Sequence, residues 1–360
     1  MPTLRVLPLL VLAGLLLLGA CDRLTGQRSS PTPQAPEAHP SLFAAGYRGG
    51  IYQSSNGGET WTPLLPDAGD LSHYFKVLAL SQGPSPTLYV GTTGQGLYRV
   101  PLGEEPSPVA LPGLKDANVK DILLDPTDSN RVYVATWGRG VMLSRDRGET
   151  WRAWNEGLTY AFVRALTVAP TTPLTVYAGT VGGVFARRAD GPVWEARSTG
   201  LGVLNVKALA IGPGDPRMLY AGTAPHKNLT SLYRSDEEGG SWKGLEAGLT
   251  GVTVFAILPD PLEPRTVLVG TSDGVRVTHD GGRRWKDWSD GLPEAPVYSL
   301  LLTPQPSRAV FAATHGGVYR RREGEGRWLA LRYGLEGEMI TALALTSEKP
   351  TPRSTANVAP

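Results

Sequence analysis

The sequence predicts an all-β fold, a single seven-bladed β-propeller with four antiparallel strands per blade, and three observations predict it. A Gly-Leu pair returns at Gly113-Leu114, Gly157-Leu158, Gly200-Leu201, Gly248-Leu249, Gly291-Leu292 and Gly334-Leu335, at intervals of 43 to 48 residues. A period of that length marks a repeat architecture whose units bury their apolar faces only against neighbours. The composition, with 44 Gly, 31 Pro and 19% charged residues, suits many tight turns between short strands rather than long helices. The array also opens and closes on complementary half-blades, Leu42 to Gly46 and Ile340 to Leu345, whose pairing would seal the ring and leave no open sheet edge.

In chain order, the first 20 residues read as a signal segment. Arg5 is followed by the Leu-rich run Val6 to Leu18, which is too short to favour a permanent membrane span. The run Leu18-Gly19-Ala20-Cys21 resembles the bacterial lipobox. That resemblance implies lipid on Cys21, anchoring in a membrane, and an extracytoplasmic place in the bacterial cell envelope. An ordinary cleaved signal or a short anchor is the alternative. Residues 21–40 and 347–360, rich in Pro, Ser and Ala without apolar periodicity, are expected to be a disordered tether and tail flanking a propeller over 41–346.

Blade five shows the unit. Val206 to Ile211 is a strand, Gly212-Pro213-Gly214-Asp215-Pro216 a turn, and Met218 to Thr223 a second strand ending in small residues where backbones come close. A third strand follows at Leu232 to Ser235, and a fourth begins at Trp242. The nearly apolar first strand predicts cover on both faces. It recurs at Phe75 to Leu80, Val119 to Leu124, Val163 to Val168, Thr253 to Leu258 and Val297 to Leu302.

Between the third and fourth strands stands the turn Ser144, Asp146, Gly148, Thr150, Trp151, with weaker copies around Trp61, Trp242 and Trp285. Short Asp and Ser side chains bond nearby amides in such turns, and Trp supplies a large apolar plate. The pattern resembles the Asp box, or bacterial neuraminidase repeat, of sialidases, sortilin-type receptors, xyloglucanases and photosystem II assembly factors. The resemblance implies a propeller and gives the boxed Asp a structural role, away from the ligand face.

Chemistry is thinly signalled. The lone Cys21 excludes an internal disulfide, and the five histidines have no ligand spacing. No catalytic residue, cofactor or metal is expected. With 35 Lys and Arg against 33 Asp and Glu, the overall charge argues against nucleic acid. A sialidase resemblance would require an Arg-Ile-Pro motif, which is absent, and no pair of loop carboxylates can be placed at glycosidase separation from sequence.

Binding signals cluster in the loops between second and third strands. Candidate partner-binding residues are Tyr47 and Arg48 of blade one, Trp137 and Arg139 of blade three, and His315 of blade seven, with His73, Tyr74, Lys115 and Tyr160 in neighbouring loops. His226 and Lys227 lie in an insertion, Ala224 to Ser231, that accounts for the single long interval. Two readings result. One is a monomeric, membrane-anchored propeller that binds protein as a scaffold or assembly factor of an envelope complex. The other is a sialidase- or xyloglucanase-like glycoside hydrolase or glycan-binding protein.

Overall fold

The computed structural model describes residues 39–48, 50–65, 75–81, 86–103, 106–212, 214–215, 217–305 and 308–346. The residues expected to form the signal segment, tether and tail (1–38 and 347–360, Cys21 among them), and His73 and Tyr74, lie outside the described residues. The chain forms seven sheets of four antiparallel strands, and there is no helix among the described residues. Innermost strands run Phe75–Ser81, Val119–Leu124, Val163–Ala169, Val206–Ile211, Val254–Pro259, Val297–Leu302 and Ile340–Leu345.

Blade one joins the two ends of the described chain. Ile340–Leu345 pairs with Leu42–Gly46, with Leu42 opposite Leu345 and Gly46 opposite Ile340. Gly50–Ser54 and Thr62–Pro63 complete that sheet. The fourth strand of blade five, expected from Trp242, is only Lys243–Gly244. It lies at the circumference with both residues exposed, so little burial extends it.

The core is divided among the seams between blades, where seven apolar clusters form. The closing seam packs Leu42 and Trp61 of blade one against Phe311, Val318 and Leu335 of blade seven. Each such large side chain removed from water contributes roughly 1.5–3 kcal/mol.

The Gly-Leu signature is explained at these seams. Gly157, Gly200, Gly291 and Gly334 all have φ between 81° and 90°. A Cβ at any of them would overlap the carbonyl oxygen of the next blade's Trp: Trp194, Trp242, Trp328 or Trp61. The same Trp residues donate their backbone N–H to the residue preceding each glycine, as in Trp194 to Glu156 O at 2.7 Å and Trp61 to Tyr333 O at 3.0 Å. Only glycine both adopts this conformation easily and admits the neighbouring backbone.

At the circumference the Asp turn is closed by its own side chains. Asp146 Oδ1 accepts the Thr150 amide at 2.9 Å and the Ser144 hydroxyl at 2.7 Å, while Ser144 Oγ accepts the Gly148 amide at 2.7 Å. Hydrogen bonds from Thr150 hold the Asp146 carboxyl down at about 2. Its oxygens are engaged in the turn, as the structural reading requires.

Candidate functional site

The site begins with a defect repeated in every blade. Each innermost strand opens on a buried Phe, Val or Ile, and its next residue is skipped in the pairing register. Val163 lies opposite Thr180 and Ala165 opposite Gly179, so Arg164 is the extra residue of a β-bulge. The same skip falls at Lys76, Lys120, Lys207, Phe255, Tyr298 and Thr341. Bulges re-aim side chains. Here all seven extra residues line one cavity of about 350 Å³, to which every innermost strand contributes. The strands are therefore not covered on both faces, and this corrects the expectation drawn from their apolar sequence: one face opens on the central channel.

The ring is two-sided. Blades two to five supply Lys76, Lys120, Arg164 and Lys207, and the remaining blades supply Phe255, Tyr298 and Thr341. No ion pair among the described residues involves any of the four cations. Burial, followed by repulsion from Lys76, Arg164 and Lys207, pushes Lys120 down to about 8. Burial, then Arg164 and Lys76, brings Lys207 to about 8 as well. Lys76 and Arg164 are lowered in the same direction, chiefly by burial.

Asp121, the one carboxylate among the described cavity residues, forms no ion pair with any of the four, so the cluster keeps a net positive charge. Its oxygens accept the amides of Leu166 at 2.7 Å and Ile122 at 2.8 Å, and burial raises it to about 6. A glycosidase needs two carboxyls at controlled separation, and the described residues of this channel supply one.

Channel and rim meet at Trp137. The Arg164 guanidinium stacks 4.2 Å above the indole, with Lys120 Nζ 5.7 Å from the same ring. Phe162 packs on Trp137 at 4.8 Å. Phe162 and Tyr160 are 41% and 42% exposed, so a partly open aromatic patch borders the cationic side. On blades six and seven Phe255 and Tyr298 lie 5.5 Å apart, and Lys76 Nζ reaches to 5.7 Å from the Tyr298 ring. Burial raises the Tyr298 phenol, as does nearby Tyr47.

The sequence-predicted residues divide into four groups. Trp137 and Tyr47 adjoin the channel. Arg139 is exposed and donates to Lys115 O at 3.2 Å, holding that rim together, and Arg48 is exposed. His315 Nδ1 lies 3.2 Å from Met339 Sδ, beside the Tyr47 amide that donates to Met339 O. His226 and Lys227 sit in the inserted loop, with Lys227 at φ 49° and the Leu229 amide donating to His226 O. Thr230 bridges that loop to Thr250 in the following link.

A second cavity, about 240 Å³, lies between blades six and seven. Its polar groups engage one another: Arg308 binds Asp260, and Thr266 Oγ1 contacts both Glu263 Oε2 and His279 Nδ1. Among the described residues, no three His, Cys, Asp or Glu side chains gather as metal ligands.

No protein-family model matches the chain, and no curated protein matches it. Solved structures do resemble it. A GH74 enzyme from Niastella koreensis aligns with a TM-score of 0.66 at 16% identity, covering 82% of this chain and 52% of that one. The GH74 xyloglucanase from Xanthomonas campestris gives 0.65 at 16%, over 82% and 53%. YCF48 bound to D1 peptide gives 0.59 at 16%, over 82% and 97%. These likenesses are of fold, and the chain spans about half the length of the GH74 structures it matches.

Proposed function

We propose that the chain is a lipid-anchored, extracytoplasmic propeller of the bacterial envelope that binds a protein partner as a scaffold or assembly factor. The observation that carries this reading is the aromatic patch of Trp137, Tyr160 and Phe162 at the channel rim, flanked by Arg139 and Arg164. Aromatic and Arg side chains are what interface hot spots are made of. A propeller of similar extent, YCF48, has been solved with a peptide bound, which supports the same use here. The Leu18-Gly19-Ala20-Cys21 run supports the anchor.

Glycan binding is the second reading, favoured by the likeness to GH74 enzymes and by the exposed aromatic rings on which a sugar could stack. Photo-crosslinking from position 160 in intact cells separates the two. A reproducible protein adduct is expected, lost by at least about 10-fold in Tyr47→Ala/Trp137→Ala at unchanged melting temperature. Unchanged crosslinking in that variant discards the site. Turnover of any polysaccharide by the wild type discards the scaffold reading.

A further inference from the structure

The channel contains its own control. Phe255, Tyr298 and Thr341 occupy the bulge on three blades, so the position accepts uncharged side chains and packing does not require cations on the other four. Lys76, Lys120, Arg164 and Lys207 are nevertheless half-buried around one cavity. Arg164 Nε is buried and makes no hydrogen bond to a described group. Like charges gathered in a partly desolvated space disfavour one another unless an opposite charge joins them. Asp121 is turned to the amides of Ile122 and Leu166 and pairs with none of the four, and a single carboxylate leaves the cluster net positive. Unlike a charged patch on a flat surface, this one lines a half-open channel and has an apolar side.

We infer that the central channel binds a small organic anion bearing two or three carboxylate or phosphate groups on a flat apolar frame. The negative groups face Lys120, Arg164 and Lys207, where charge-assisted hydrogen bonds are strongest. The frame rests against Phe255 and Tyr298 on the opposite side. A cavity of about 350 Å³ falls within the range of small-ligand sites. The inference goes beyond the partner-binding reading and stands without it, because every group named comes from this chain.

The titratable groups sharing the cavity are Lys76, Lys120, Asp121, Arg164, Lys207 and Tyr298. Bound anion favours the charged lysines, so affinity should fall as pH rises through about 8, where Lys120 and Lys207 lose their protons.

Calorimetric titration of the full chain at low salt tests the site with benzene-1,3,5-tricarboxylate, tricarballylate, pyrophosphate and acetate. The aromatic tricarboxylate should saturate one site and bind roughly 10-fold tighter than tricarballylate, with acetate weakest. Lys120→Gln/Lys207→Gln should lose at least about 10-fold in affinity while melting no lower than wild type, since it relieves repulsion. Phe255→Ala should remove the aromatic preference and keep pyrophosphate binding. Absence of saturable binding by every small anion overturns the inference, as does binding that survives the double lysine substitution. Binding of polyglutamate without any small anion overturns it too, and leaves the partner-binding reading untouched.

Discussion

At the circumference of this propeller the polar groups of the Asp146 turn are already engaged, whereas at its axis the charges are left over. Asp146 takes bonds from Ser144 and Thr150 within one turn, and the Trp amides reach across the seams to the residues before the glycines. Lys120 and Lys207, of far less striking sequence context, have no ion-pair partner among the described residues and are displaced from their ordinary pKa. The contrast teaches that in a repeat protein the most regular residues build the frame, and function is sought where hydrogen-bonding or charge capacity is unused.

The contrast is broken most severely at the closing seam. Ending the chain after Glu338 removes the strand that pairs Leu42 to Gly46, along with buried Ile340, Ala342 and Ala344. The cooperative melt should collapse, whereas ending it after Thr346 should leave the melt intact. A chain cut after Glu338 that melts like wild type would show that the ring does not need this closure.

A smaller effect sharpens the axial side through pH. Lys120 and Lys207 titrate near 8 in the folded chain against 10.5 when unperturbed, so the folded state releases its protons first and stability rises between those values. Asp121 acts in the opposite sense lower down: raised to about 6 from 3.8, it makes stability fall as pH climbs between them. Melting temperature measured from pH 7 to 10 should climb in the wild type and stay flatter in Lys120→Met/Lys207→Met. Parallel profiles would mean that the axial charges are already compensated.

The smallest effect belongs to the circumference. Asp146→Ala removes exposed turn bonds and should lower the melting temperature by roughly 2 °C at most. Its anion affinity should stay within about twofold of wild type by the independence of distant sites. A large change in that affinity would show that the turns and the channel are coupled.

Much of the frame could be read from the chain. The recurring Gly-Leu pairs marked the seams because at Gly157, Gly200, Gly291 and Gly334 only glycine tolerates both a positive φ and a neighbouring carbonyl. The Trp turns were equally legible, since their bonds lie within a few residues. Of the site, Trp137 and Tyr47 could be picked out as unusual loop residues, and the structure sets both beside the channel. The cationic ring was missed although its column stands in the aligned first strands as Lys, Lys, Arg, Lys, Phe, Tyr, Thr. Near-balanced total charge hid it, because opposite charges elsewhere cancel in a sum but not in space.

Local sequence by itself determined the blade, its turns, the number of repeats and the half-blades that close the ring, because each rests on short-range conformational preference and on apolar faces that must be covered. Only the tertiary structure decided which residues meet at the axis. A one-residue bulge reverses the side a strand residue faces, and bending seven strands around one centre brings Lys76, Lys120, Arg164 and Lys207 together from positions more than forty residues apart.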